Sequence, residues 1–130
     1  MPSEVWSVLI VDDDAVVGKV IKRGLRGHTA VVETDARVAL RRLHEGERFD
    51  VVVCDANMPG LSGHELIASA RQLYDPPIFV LMSGAYVSDP NADAVLLKPF
   101  TSPMLLELLM ALSRSRATAL TQPLPRSGVA

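Results

Sequence analysis

Val8-Leu9-Ile10-Val11-Asp12-Asp13-Asp14 is the stretch that decides how this chain folds. Four consecutive apolar residues without alternation describe a strand buried on both faces, as in a parallel sheet. Three carboxylates then stand where that strand leaves the core. Like charges held so close repel one another unless something offsets them. A divalent cation does so, and a hard, oxygen-liganded one such as Mg²⁺ suits carboxylates best. Asp14 has a simpler role as the cap of a helix beginning near Ala15. A cap needs one carboxylate, which leaves Asp12 and Asp13 unexplained by it.

Outward from this stretch, strands and helices alternate. Strands are expected over residues 5–11, 29–34, 49–54, 77–82 and 94–97. A helix over 15–26 places Val16, Val17, Val20, Ile21, Gly24 and Leu25 on one face and Lys19, Lys22, Arg23 and Arg26 on the other. The basic face is read as solvated, with docking of an acidic partner as its functional alternative. Asp35 caps a second helix carrying Val38, Ala39, Leu40 and Leu43. A third helix covers 64–73. Thr101 or Ser102 caps a last one, with Pro103 in its first turn and its end near Arg116. This order predicts right-handed βαβ units and a parallel sheet covered on both faces.

The chain of 130 residues is 48% hydrophobic, enough for one domain with a single core. A net charge of −2 gives no overall pull toward nucleic acid or an anionic membrane. The one cysteine, Cys54, excludes an internal disulfide and a cysteine-based zinc site. No signal peptide and no membrane span is legible, so a cytoplasmic location is expected. Residues 117–130, with Pro123, Pro125 and Gly128, are expected to form a disordered tail.

In such a sheet the ligand site lies beyond the carboxyl ends of the strands. Strand one ends in Asp12 and Asp13, and strand three in Asp55. Strand four ends in Ser83, and strand five in Lys98, followed by Pro99 and Phe100. Three carboxylates, a hydroxyl and an ammonium therefore converge on one edge. A carboxylate can act as a nucleophile and form an aspartyl phosphate. A metal, the Lys98 ammonium and the Ser83 hydroxyl would then hold three phosphoryl oxygens as charge spreads over them.

On these residues the chain resembles the receiver domain of two-component response regulators, of which the chemotaxis regulator is the minimal type. The resemblance spans residues 5–116. It rests on the 8–14 stretch, on Asp55-Ala56-Asn57-Met58-Pro59-Gly60 with Gly63, on Ser83-Gly84, and on Lys98-Pro99-Phe100. It implies a flavodoxin-like, doubly wound five-stranded parallel sheet in the order 2-1-3-4-5. It implies that Asp55 accepts phosphate from a histidine kinase or phosphotransfer protein. Mg²⁺ would be held by Asp13, Asp55 and the backbone carbonyl of Asn57, with Asp12 acting through water. Ser83 would be the switch hydroxyl, Lys98 the phosphate-sensing cation, and the Lys98–Pro99 peptide cis. Other residues read more plainly: Cys54 as core, Trp6 as an edge or core anchor, and His28, His44 and His64 as isolated surface histidines.

Two departures from the family stand out. About ten residues cross from the end of strand four to the start of strand five. They can reach about 35 Å when extended, more than the roughly 17 Å of a short strand, but a helical crossover needs more chain. The usual fourth helix is therefore expected to be missing or reduced, as in a receiver subgroup with a poorly formed fourth helix or in receivers of hybrid histidine kinases. Second, the position three before the lysine, usually Tyr or Phe in the family, is Val95. The phospho-state is then expected to pass through residues 84–93 and the last helix. That helix is apolar nearly all round, from Met104 to Leu112. It either sinks deeper into the space of the missing helix or offers a surface for self-association.

Two other functions fit parts of the pattern. Asp12-x-Asp14 after an apolar strand resembles the nucleophile motif of Mg²⁺-dependent phosphatases of the haloacid dehalogenase type, with Asp12 as nucleophile. Against it, the chain is short and lacks an acidic pair after strand four. A degenerate receiver serving only as a protein-binding module is the third reading, and the complete pocket argues against it.

Overall fold

The computed structural model describes residues 5–121, with side chains described as far as Arg116. Five strands, β1 (Ser7–Val11), β2 (Thr29–Glu33), β3 (Val51–Asp55), β4 (Ile78–Ser83) and β5 (Ala94–Leu97), form one parallel sheet in the order β2-β1-β3-β4-β5. Among the described residues, four helices flank it: α1 (Ala15–Gly24), α2 (Ala36–His44), α3 (Gly63–Ala70) and α4 (Ser102–Thr121). This is the flavodoxin-like, doubly wound order, which places a crevice where the chain reverses direction between β1 and β3.

Alternation of side chains divides the core in two. Val8, Ile10, Val51, Val53, Val80 and Met82 face α1 and α4. Leu9, Val11, Val52, Cys54, Phe79 and Leu81 face α2 and α3. Residues 8–11 of β1, 51–54 of β3 and 78–82 of β4 therefore include no charged or hydroxyl side chain, and the next residue of each is Asp12, Asp55 or Ser83. Asp14 caps α1 by accepting the N–H of Val16 at 2.9 Å, and Asp35 caps α2 by accepting that of Arg37 at 2.9 Å. Ser62 and Glu65 close a reciprocal capping box on α3.

No helix joins β4 to β5, as the short crossover requires. The inner face of α1 is narrower than its apolar pattern suggested. Val16 and Val20 are exposed, at 68% and 58%. The buried line is Gly18, Ile21 and Leu25, because a β-carbon at Gly18 would run into Val32 and the helix lies close on β2 there. The last helix also runs further than Arg116, to Thr121. The rest of the expected tail, 122–130, lies outside the described residues. Leu105 and Leu109 of α4 are buried, Leu106, Leu108 and Leu112 are partly buried, and Met104 and Met110 remain about half exposed. No helix among the described residues is long and apolar enough to cross a membrane.

Candidate functional site at the carboxyl edge of the sheet

Register places the acidic residues together. Val11 pairs with Cys54, so Asp12 and Asp55 each sit one step further along neighbouring strands. Both continue the parity of the α1 and α4 face, and both leave the core on the same side. Asp12 is 1% exposed and Asp55 8%. Asp13, fully on the surface, completes the group: one carboxylate oxygen from each of Asp12, Asp13 and Asp55 lies within 4.8 Å of the others.

A cation from the chain already stands among them. Lys98 Nζ is 3.5 Å from Asp12 Oδ2 and 3.4 Å from Asp55 Oδ1. β5 delivers it: the Lys98 N–H donates to Ser83 O at 2.7 Å, extending the ladder by one step, and the Lys98–Pro99 peptide is cis. Burial pushes the Asp12 carboxyl above its ordinary range. The Asp14 N–H, 2.9 Å from Asp12 Oδ1, and the Lys98 ammonium pull the other way, while the Asp55 charge adds to the rise. Those contacts therefore offset only part of what burial does to Asp12, and three hard oxygen donors at this spacing suit a small divalent cation.

The loop after Asp55 is braced from below. The Gly63 N–H donates to Ala56 O at 3.1 Å, and a β-carbon on Gly63 would collide with the Asp55 carbonyl. The Asn57 N–H approaches Asp55 Oδ1 at 3.5 Å. Ser83 ends β4, 1% exposed, and its hydroxyl donates to Ala85 O at 2.8 Å while accepting the Ala85 N–H at 3.1 Å. The expected residues therefore meet at one edge, with the Ser83 hydroxyl engaged by Ala85. Cys54 is wholly buried, and burial drives its thiol far above its ordinary range, which suits a core residue.

The histidines are not isolated. His28 stacks on Trp6 with ring centroids 4.6 Å apart, and its Nδ1 accepts the Trp6 N–H at 3.0 Å. His44 Nε2 is 3.3 Å from Ser69 Oγ, and His64 Nδ1 is 2.7 Å from Asp89 Oδ2. Arg71 was not singled out by the sequence, yet its guanidinium lies 4.8 Å over the Phe79 ring and bonds Asn91 O and Asp93. It covers β4 where a helix would otherwise lie. The hydrogen bonds of His44, His64 and Arg71 join residues 20–25 positions apart and leave no local pattern.

Known proteins are similar to this chain in sequence and in fold. Residues 8–110 match the response regulator receiver domain. The transcriptional regulatory protein PrrA of Mycobacterium bovis is 37% identical over 123 residues, covering 88% of this chain and 52% of that protein. The chemotaxis protein CheY of Pseudomonas aeruginosa is 34% identical over 112 residues, covering 77% of this chain and 90% of that protein. The solved CheY-like receiver domain protein of Methanospirillum hungatei superposes with a TM-score of 0.76 at 26% identity, covering 88% of this chain and 99% of that one. The chain spans about half the length of PrrA. By the matched residues, the strand order and the acidic edge together, the chain belongs to the response regulator receiver domain family.

Proposed function

We propose that this chain takes a phosphoryl group onto Asp55 from the phosphohistidine of a histidine kinase or phosphotransfer protein. The observation that carries this reading is the cluster of Asp12, Asp13 and Asp55 with Lys98 Nζ 3.4 Å from Asp55 Oδ1. An Asp55 carboxylate oxygen attacks phosphorus. The new O–P bond forms as the N–P bond breaks, and the departing imidazole recovers its electron pair and takes a proton from water. The Lys98 ammonium offsets negative charge on one phosphoryl oxygen. The Ser83 hydroxyl, released from Ala85 O, donates to another.

Mg²⁺ suits the three carboxylates of Asp12, Asp13 and Asp55, the Asn57 carbonyl would join them as a ligand, and the ion would offset the remaining charge between carboxylates and phosphoryl oxygens. Asp12 is the residue best suited to act through water. Its Oδ1 already accepts the Asp14 N–H, and its Oδ2 faces Lys98. The same engagement, with 1% exposure, leaves Asp12 poorly placed as a nucleophile, which disfavours the phosphatase reading. A receiver of this kind is a signalling module, working in the cytoplasm and turning over only its own phosphoryl group. We place its folded unit at residues 5–116 and the remainder of α4. Self-association through α4 would rest on Met104 and Met110, and sedimentation with and without beryllofluoride tests it.

Acetyl phosphate with Mg²⁺ is the direct test. Acid-labile label should map to Asp55 and be absent from Asp55→Asn, whose amide is no nucleophile. Label that persists in Asp55→Asn and maps to Asp12 would return the phosphatase reading. No label in the unaltered chain would leave a binding module.

A further inference from the structure

The crossover from Ser83 to Ala94 is divided into a loose half and a fastened half. Residues 84–88 are exposed, Tyr86 at 92%. Among the described residues, the hydrogen bonds of this half are the two between Ala85 and Ser83. Residues 89–93 are tied to α3 and β4. Asp89 Oδ2 meets His64 Nδ1 at 2.7 Å, and Asp89 Oδ1 accepts the Asn91 N–H at 2.8 Å. The Asp89 side chain is only 5% exposed. Arg71 donates to Asn91 O at 2.9 Å and to Asp93 Oδ2 at 2.9 Å. Asp93 Oδ2 also accepts the Phe79 N–H at 2.7 Å, and the Asp93 N–H returns to Phe79 O at 2.8 Å.

His64 directly follows Gly63, the residue that braces Asp55 and Ala56. One helical turn therefore supports the phosphoacceptor loop and holds the far end of the crossover. Ser83 stands at the near end. When its hydroxyl leaves Ala85 O for a phosphoryl oxygen, the chain between Ser83 and Asp89 must absorb the change.

We propose that His64 and Asp89 are a positioning pair for the phosphoryl chemistry at Asp55. They hold residue 89 fixed relative to the Asp55 loop, so the response to phosphorylation is confined to residues 84–88 and the Ser83 hydroxyl is returned to one place. Arg71 keeps residues 91–93 on β4. Packed coil with a fixed far end thus does the work of the absent helix. The inference rests on Asp55 as phosphoacceptor.

Hydrogen exchange on the full chain, with Mg²⁺ and with or without beryllofluoride, tests it. In the unaltered protein, protection should change in 84–88 and stay constant in 89–93. In His64→Ala the change should spread into 89–93, and beryllofluoride affinity should fall roughly two- to tenfold, the range one net hydrogen bond supports. Asp89→Asn keeps the acceptor for the Asn91 N–H and offers an amide donor to His64 Nδ1, and should track the unaltered protein. Asp89→Ala should behave as His64→Ala, and stands in for it if that variant does not fold. A change that already spans 84–93 in the unaltered protein overturns the proposal. So does a His64→Ala variant that melts earlier but keeps the confined response and the affinity. Persistent labelling of Asp55→Asn by acetyl phosphate would instead overturn the phosphoacceptor reading, so the two failures are told apart.

Discussion

Gly63 stands so close to the main-chain carbonyl of Asp55 that a β-carbon on it would lie within 3.0 Å of that oxygen, a separation real β-carbons do not show. The contact is with backbone at the end of a fully buried strand, so neither side can give way cheaply. Gly63→Ala should destabilise the fold by about 1–3 kcal/mol, as overpacking does, and should slow labelling by acetyl phosphate by shifting the Asp55 loop. Urea denaturation measures the first and initial labelling rates the second. Stability and rate both equal to those of the unaltered chain would show that the loop adjusts freely.

Asp12 makes stability depend on pH in metal-free buffer. Its folded pKa is raised above the ordinary 3.8, chiefly by burial. Above 3.8 the native state therefore holds more proton than the unfolded one, and stability falls as pH rises through the raised pKa. Asp12→Asn keeps an acceptor for the Asp14 N–H and has no charge to bury. Melting curves in EDTA should show the variant gaining on the unaltered chain as pH rises above 3.8. Curves that stay parallel as pH rises would remove Asp12 as the source.

Added Mg²⁺ should reverse this order at pH 7. A ligand bound only by the native state stabilises it by about 2.7 kcal/mol at a hundredfold excess over Kd. The unaltered chain should gain most from millimolar Mg²⁺, Asp13→Ala less. Equal shifts in melting temperature would deny Asp13 a place among the ligands.

Lys98→Ala removes the ammonium shared by Asp12 and Asp55. Mg²⁺ affinity should be undiminished, because a competing cation has gone. The change in exchange protection on adding beryllofluoride should be lost. Weaker Mg²⁺ binding, or an undiminished response, would each contradict the role given to Lys98.

Leu109→Ala tests how firmly α4 belongs to the core. Leu109 is fully buried, whereas its neighbour Met110 is about half exposed. The first substitution should cost about 2–5 kcal/mol, and Met110→Ala should stay within about 0.5 kcal/mol. Similar costs in urea titrations would mean that the helix sits differently on the sheet.

The sheet and the site edge were legible because buried strands have a simple grammar. Unbroken apolar runs mark the strands, and the first polar residue after each marks the edge, as at Asp12, Asp55 and Lys98. The missing helix was legible from chain length alone. Packing choices were not. Val16 and Val20 are as apolar as Ile21, and only the close seat of Gly18 on Val32 decides which stripe turns inward. His64 and Asp89 lie 25 positions apart, and neither type at either place signals the other.

The stack of Trp6 on His28 has an optical consequence. Trp6 is the chain's one tryptophan. It precedes β1 at the amino end, while Asp12 follows the same strand at the other, a run of about 20 Å at ordinary strand rise. Its emission is therefore a built-in gauge of unfolding that stays silent to events among the carboxylates. Denaturation and site titration can be read from one sample without interference, and any Mg²⁺-dependent change in that emission would signal movement of the sheet as a whole.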